Sequence, residues 1–143
     1  DLATIAEANE VLTTALHHMQ PGPFQLQALI AAHHANAPSA PDTDWPLIAR
    51  LYDHLASVAP SPIIDLNRAV ALAMADGPLA GLAALDLIVG IDHYYLLWST
   101  RGELLLRSGD VGAAASAFAR ALDLVTYSAE RSHLEQRLAI SRG

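Results

Sequence analysis

A repeat of constant period is the feature that most constrains the fold of this 143-residue chain. Five sets of positions keep the same interval: Tyr52, Leu85 and Phe118; Ile48, Gly81 and Ala114; Arg68 and Arg101; Ala69 and Gly102; Leu72 and Leu105. Periods of about 33 residues are typical of helical-repeat proteins, because one helix pair cannot bury its own apolar face and stacks on the next. The repeat therefore predicts stacked helix pairs that serve contact with another molecule rather than catalysis.

Composition narrows the class of protein further. Hydrophobic residues make up 52% of the chain and charged residues 16%, so we expect a folded, mostly helical domain rather than a disordered one. The formal net charge is −7, and the eight basic residues, all Arg, are scattered. Because phosphate contacts require clustered basic residues, direct nucleic-acid binding is not expected. The absence of Cys excludes disulfides and thiolate sites.

The sequence also carries an expectation about location. No stretch approaches the roughly 20 apolar residues of a membrane span, and no secretory leader is recognisable. We therefore expect a soluble, cytoplasmic protein without a membrane partner. The chain begins at Asp1 without Met, and we expect it to be the C-terminal part of a longer protein.

The spacing of apolar residues, caps and helix breakers predicts an all-α fold of about eight helices in antiparallel hairpins, arranged as a right-handed array. Caps are expected at Thr43 or Asp44, Ser61, Asp92 and Asp110. Four of the predicted helices have both ends assigned: Leu2 to about Met19, Pro23 to Asn36, Pro62 to Asp76, and about Tyr127 to Ile140. Of the other four, one ends before Pro60, one runs from Pro78 to before Gly90, one is capped by Asp92 and ends at Gly109, and one follows Asp110 and carries Ala114 to Leu122. Residues 1–42 are expected to form a hairpin and loop, and residues 43–143 the regular repeats, within one compact domain.

The segment from Trp98 to Leu122 resembles a tetratricopeptide (TPR) unit. The matching residues are Trp98, Gly102, Gly109, Ala114, Phe118 and Ala121. Small residues at Gly102 and Ala114 would make room for large ones at Trp98 and Phe118. Three features depart from the family pattern: Leu105 replaces a customary Tyr, Thr126 replaces the terminal Pro, and the period is one residue short. The preceding unit, Ile63 to Ile88, matches less well.

A longer resemblance covers nearly the whole chain. It is carried by Gly22-Pro-Phe-Gln-Leu-Gln-Ala-Leu-Ile-Ala-Ala-His, Asp44-Trp, Leu51-Tyr-Asp, Ser61-Pro, Leu66-Asn-Arg-Ala-Val-Ala and Gly77-Pro. These segments resemble the C-terminal extension of one group of extracytoplasmic-function (ECF) sigma factors, bacterial transcription initiation factors. The resemblance implies a TPR-like regulatory tail whose partners are its own sigma module and RNA polymerase, with DNA contacted only through the sigma module.

In the TPR register, a concave groove would be lined by apolar residues of the predicted helix from Pro62 to Asp76. The lining positions are Ile63, Leu66, Val70, Ala73 and Met74. A contiguous exposed apolar strip usually marks a contact surface. Two interpretations stay open: the domain's own helices fill the groove, or an amphipathic helix of the sigma module or another partner docks there.

Polar candidates flank this groove. Asn67 and Arg68 lie at the middle of the same predicted helix, and Arg101 recurs one period later. Arg often anchors interfaces, but each Arg could instead pair with a carboxylate such as Asp65 or Glu103. Gln25 and Gln27 could bond a partner or an orphan backbone group. Of Tyr94 and Tyr95, one is expected in the core and the other exposed.

Catalytic and metal-binding patterns are missing from the sequence. His17-His18 and His33-His34 could face each other, but neighbours on a helix point about 100° apart, so each pair offers one ligand. No zinc motif, nucleophile elbow or phosphate loop is found. We therefore expect no metal, no cofactor and no enzymatic activity. The alternatives to a sigma-factor tail are a free-standing TPR-type scaffold that binds a separate protein and a small-ligand sensor.

Overall fold

Seven helices build the part of the protein that the computed structural model describes, which comprises residues 22–36, 43–125 and 128–143. They are α1 (Pro23–Asn36), α2 (Trp45–Val58), α3 (Pro62–Asp76), α4 (Pro78–Asp86), α5 (Tyr95–Ser108), α6 (Val111–Leu124) and α7 (Ser128–Arg142). No strand occurs within these ranges, so the predicted all-α class is confirmed. The helix predicted from Leu2 to Met19, the loop at residues 37–42 and the helix start at Tyr127 lie outside the described residues.

Helix boundaries repeat at the interval that the side chains predict. The even-numbered helices α2, α4 and α6 begin at Trp45, Pro78 and Val111, each one period after the last. The odd-numbered helices α3, α5 and α7 begin at Pro62, Tyr95 and Ser128, again one period apart. Helix α1 departs from this rule, since it starts earlier than the interval requires. The period is thus a property of the backbone as well as of the sequence.

Three of the predicted N-caps are present and explain where α2, α3 and α6 begin. The side chains of Asp44, Ser61 and Asp110 each accept a hydrogen bond, 3.1 to 3.2 Å long, from a backbone N–H two or three residues later. Each bond satisfies one of the donors that a helix start leaves without an intrahelical partner. Pro at the first or second position of α2, α3 and α4 adds the φ angle that a first turn needs.

Two predicted boundaries around α5 are wrong. The helix begins at Tyr95 rather than after a cap at Asp92, whose backbone carbonyl instead accepts a 2.7 Å hydrogen bond from the indole N–H of Trp98. Helix α4 ends at Asp86, before the predicted stop at Gly90. The chain between α4 and α5 forms turns, and the hydrogen bond from the Trp98 indole holds these turns against α5.

Two glycines make the tight connections possible. Gly77 joins α3 to α4 alone, with φ at +102°, and Gly109 ends α5 in the left-handed region with φ at +92°. A side chain is disfavoured at such angles, whereas Gly adopts them without steric cost. Connections this short place successive helices next to each other, and α3 contacts α4 as α5 contacts α6.

The described helices share three apolar core clusters that follow one another along the chain. The first joins α1 and α2 to one side of α3, the second joins α3, α4 and α5, and the third joins α5, α6 and α7. Within the described residues, the extensive contacts are made between helices adjacent in sequence. Each helix therefore buries its apolar stripe against its neighbours, as stacked pairs require.

The close helix crossing predicted for Gly102 and Phe118 is confirmed. A Cβ atom built on Gly102 would lie 2.6 to 2.8 Å from the Phe118 ring, which is fully buried. Distances this short leave no room for a methyl group. The small residue on α5 therefore faces the large residue on α6, and Gly102 lets the two helices approach.

Candidate functional site

Two clefts open between odd-numbered helices, and each has an even-numbered helix as its floor. The first cleft lies between α1 and α3 above α2 and encloses about 390 Å³. Its walls combine aliphatic carbons with two side-chain amides. The lining residues are Gln27, Ile30, Ala31, Tyr52, Leu55, Ile64 and Asn67.

The second cleft lies between α5 and α7 above α6, and encloses about 400 Å³. Its surface is mainly apolar, but two carboxylates, one His and three residues with a hydroxyl group also line it. The lining residues are Tyr95, Leu96, Ser99, Thr100, Glu103, Phe118, Glu130, His133 and Leu134.

The two clefts occupy equivalent positions of the repeat. Four pairs of lining residues are separated by two periods: Ile30 and Leu96, Tyr52 and Phe118, Ile64 and Glu130, Asn67 and His133. Both clefts have an aromatic floor, Tyr52 in the first and Phe118 in the second. On the walls, Ile64 and Asn67 of the first cleft are replaced by Glu130 and His133 in the second. We call the face that carries both clefts the groove. The two clefts thus repeat one position of the fold with different chemistry.

The expected exposed apolar strip on α3 is only partly present. Ile63 and Val70 are 41% and 36% exposed, in agreement with the prediction. Leu66 and Ala73 are each only 4% exposed, because they pack against α4 and α5 in the second core cluster. The prediction that Leu66 and Ala73 line an open groove is therefore wrong. Met74 is half-buried, with its sulfur 3.1 Å from the Arg107 Nη1 atom.

The first cleft brings together two predicted polar candidates from different helices. Gln27 of α1 and Asn67 of α3 both line it, although they are far apart in sequence. Gln25 is exposed and does not line the cleft. Ile64 lines it and was missed by sequence reasoning, yet it lies one turn before Asn67 and so shares its helix face. Amides beside aliphatic carbons can hydrogen-bond a polypeptide backbone while the walls bury an apolar side chain.

The candidate arginines pair with carboxylates other than those predicted. Arg68 of α3 binds Asp53 of α2, and Arg101 of α5 binds Asp86 of α4 with 2.8 Å between Nη1 and Oδ1. Asp53 and Asp86 are themselves one period apart, so the same ion pair recurs in the next repeat. The prediction that each Arg pairs with a nearby carboxylate is therefore confirmed, whereas Asp65 and Glu103, the two carboxylates given as examples, are not the partners. A search of the sequence for carboxylates that recur at the repeat interval would have identified Asp53 and Asp86 as the partners of the two arginines.

These repeated ion pairs lead to a testable expectation about stability. Replacing Asp86 by Asn should lower the free energy of unfolding by only about 0.2 to 1 kcal/mol, because both groups are partly exposed and solvent screens them. The loss should shrink further in 1 M salt. Urea unfolding at low and high salt measures both quantities. Asp92→Asn is the control, since that exposed side chain forms no ion pair among the described residues; equal losses in both variants would contradict a role for the pair.

Hydrogen bonds fix the side chains of the second cleft. The Tyr95 hydroxyl donates to Glu130 Oε1 at 2.9 Å, which ties α5 to α7. Burial, this bond and the charge of Glu130 raise the pKa of Tyr95 above its ordinary value of 10.0. Glu103 accepts two bonds of 2.6 and 2.8 Å from the guanidinium of Arg137. The cleft is thus held open by two polar links across its sides.

Tyr94 differs from its prediction. Tyr94 and Tyr95 are both half-buried, and their rings meet edge to face with centroids 5.9 Å apart. Neither ring is therefore a core residue, and neither is fully exposed. Tyr94 does not line the second cleft, so it supports Tyr95 rather than facing a ligand.

The described residues contain no group of three or more His, Asp or Glu side chains that could hold a metal ion. His17 and His18 lie outside the described residues, as do the side chains of His33 and His34. Among the seven described helices, none has the length and apolar character needed to cross a membrane.

Comparison with known proteins adds one similar protein. The chain is 40% identical over 135 residues to an uncharacterized protein of Rhizobium meliloti. That match covers 94% of this chain but 32% of the relative, so the chain spans about a third of the relative's length. No family model matches the chain, and no solved structure is significantly similar to it.

Proposed function

We propose that this chain is a TPR-like interaction domain, a right-handed stack of helix pairs whose groove binds a polypeptide. The observation that carries this proposal is the pair of clefts at equivalent positions of the repeat. Two open clefts along one face suit a long segment with an anchor in each, as helical-repeat proteins use their concave surfaces. Hydroxyl groups share the second cleft with His133 and two carboxylates, but the Ser99 hydroxyl donates to the Leu96 carbonyl oxygen rather than to one of these bases, so catalysis has no comparable support.

We further propose that the partner is the sigma module of an ECF-type sigma factor, or RNA polymerase bound to it. The sequence resemblance described above supports this identity, and the groove supplies a surface for it. In this mechanism the domain acts in the cytoplasm as a regulatory latch, which changes the affinity of the sigma module for polymerase. Asn67 faces the partner, whereas Arg68 is already engaged by Asp53. A free-standing scaffold with an unrelated protein partner is the alternative.

Transcription from the cognate promoter tests the regulatory role. Removing this domain from the full-length factor should change the transcript level at least several-fold, whereas an unchanged level would reject regulation. Sequencing the gene upstream of Asp1 separates the two alternatives, since the sigma-factor proposal requires a sigma-type helix-turn-helix there.

A binding assay tests the groove itself. Replacing Ala31 by Trp fills the first cleft, so capture of the separately expressed sigma module should fall at least ten-fold. Ala83→Trp is the matched control, because Ala83 is also an exposed alanine but lies on α4, away from both clefts. Equal capture by the two variants would place the contact surface elsewhere.

A further inference from the structure

The second cleft contains a carboxylate without a cationic partner. Glu130 receives one hydrogen bond, from Tyr95, and forms no ion pair with any described residue. Its Oε2 atom has no hydrogen-bond partner in the described part of the chain and almost no contact with water. A carboxylate oxygen that lacks both water and a donor is poorly stabilised. A ligand that supplies a donor would remove this cost.

The nearby imidazole and guanidinium groups do not supply that donor. His133 lines the cleft but forms no hydrogen bond or ion pair with Glu130. Arg137 is occupied by both oxygens of Glu103, and Arg131 lies 3.4 Å from Glu135 on the exposed side of α7. Of the two carboxylates that line the cleft, Glu130 is therefore the one without a cationic partner among the described residues. Since the whole chain has a formal net charge of −7, its long-range field also favours a positive ligand.

The remaining walls define the shape of the ligand. Leu96 and the Tyr95 ring, both half-buried, offer apolar surface above the fully buried side chains of Phe118 and Leu134. The cleft volume of about 400 Å³ falls in the range of about 300 to 1,000 Å³ typical of ligand pockets. A ligand with an apolar stem and a cationic head matches this combination. Arg and Lys side chains have that form, because their methylene stems pack on apolar surface while the charge reaches a polar partner.

We propose that the second cleft binds an Arg or Lys side chain of a partner polypeptide, with Glu130 as the carboxylate that holds its charge. This contact requires a rotation of the Glu130 carboxyl group that turns Oε2, which has almost no contact with water, toward the ligand while the other oxygen accepts from Tyr95. The bond is a charge-assisted one, stronger than a neutral hydrogen bond. This inference rests on the proposed function, since it assumes that a protein segment occupies the groove, and it specifies the residue type that the segment must carry.

Peptide titration tests the proposal on the intact chain. The probes are three nine-residue peptides, identical except for Arg, Gln or Glu at the central position, with Leu on either side of it. By calorimetry, the Arg peptide should bind at least ten-fold tighter than the Gln peptide, and the Glu peptide weakest. In Glu130→Gln the preference for Arg over Gln should disappear, while Tyr95 keeps an acceptor. Glu135→Gln, an equal loss of charge on the same helix, should retain it.

Each outcome bears on the proposal in a defined way. Equal binding of the Arg and Gln peptides, or an unchanged preference in Glu130→Gln, would overturn it. Free arginine binding as tightly as the peptide would also overturn it, because the ligand would then be a small molecule. If Glu130→Gln captures the sigma module as strongly as the unchanged protein does, this inference is rejected and the proposed function still stands. Loss of capture in Ala31→Trp, with peptide preference intact, supports both.

Discussion

Replacing Phe118 by Ala should lower the free energy of unfolding by about 3 to 5 kcal/mol, the range measured for the loss of a large buried aromatic side chain. Phe118 is fully buried in the third core cluster and forms the floor of the second cleft. Its removal takes away apolar burial and leaves a cavity between α5 and α6. Urea unfolding followed by circular dichroism measures the change. Leu87→Ala is the control, since that side chain is 81% exposed and its truncation should change stability by about 0.5 kcal/mol or less.

A double-mutant cycle shows whether Gly102 acts through this ring. Alone, Gly102→Ala should lower stability by about 1 to 3 kcal/mol, because its Cβ would lie within 2.8 Å of three ring atoms. In the Phe118→Ala background the same methyl group occupies part of the new cavity, so its cost should largely vanish. Additive losses would contradict the proposed contact.

Much of the fold could be predicted because local residues determine it. Pro62 and Pro78, preceded by Ser61 and Gly77, mark helix starts through backbone angles and capping bonds that depend on neighbours only. The period predicts which positions are buried, since Ile48, Gly81 and Ala114 are all core residues, as are Leu85 and Phe118.

The errors concern orientation and long-range contacts. Leu66 and Asn67 are consecutive, so their side chains point about 100° apart on the helix. The prediction assumed a rotation of α3 that turns Leu66 into the groove, whereas Leu66 is buried and Asn67 lines the first cleft. The partner of Arg68 lies on the preceding helix, and local sequence does not show which carboxylate it meets. The predicted cap at Asp92 is wrong because α5 begins at Tyr95, two residues later than a cap at Asp92 would place its start.

The candidate site was predicted less completely than the fold for a similar reason. Gln27 and Asn67 were identified separately, but only the packing of α1, α2 and α3 places them in one cleft. Glu130 had no distinguishing motif, since its importance comes from the oxygen that lacks a partner. A search of the repeat for positions whose chemistry changes, such as Asn67 and His133, would have indicated the clefts before the structure did.

Gly81 offers the second large effect. A Cβ at this position would lie 2.5 Å from the Ala73 Cβ and 3.0 Å from the Ala69 carbonyl oxygen, both on α3. Neither atom is the end of a flexible side chain, so α3 and α4 must separate. We expect Gly81→Ala to lower the free energy of unfolding by about 1 to 3 kcal/mol, the usual cost of overpacking, although Ala is the better helix former by about 1 kcal/mol.

Gly112→Ala is the matched control because it should change stability in the opposite direction. Gly112 also lies in a helix, but a Cβ there has no atom within 4 Å. The variant should gain up to about 1 kcal/mol from helix propensity and from the lower entropy of the unfolded chain. Thermal and urea unfolding of both variants measure the two signs. If Gly81→Ala were stabilising too, close packing of α3 on α4 would be contradicted, and with it the reason why a glycine occupies the position equivalent to Ala114.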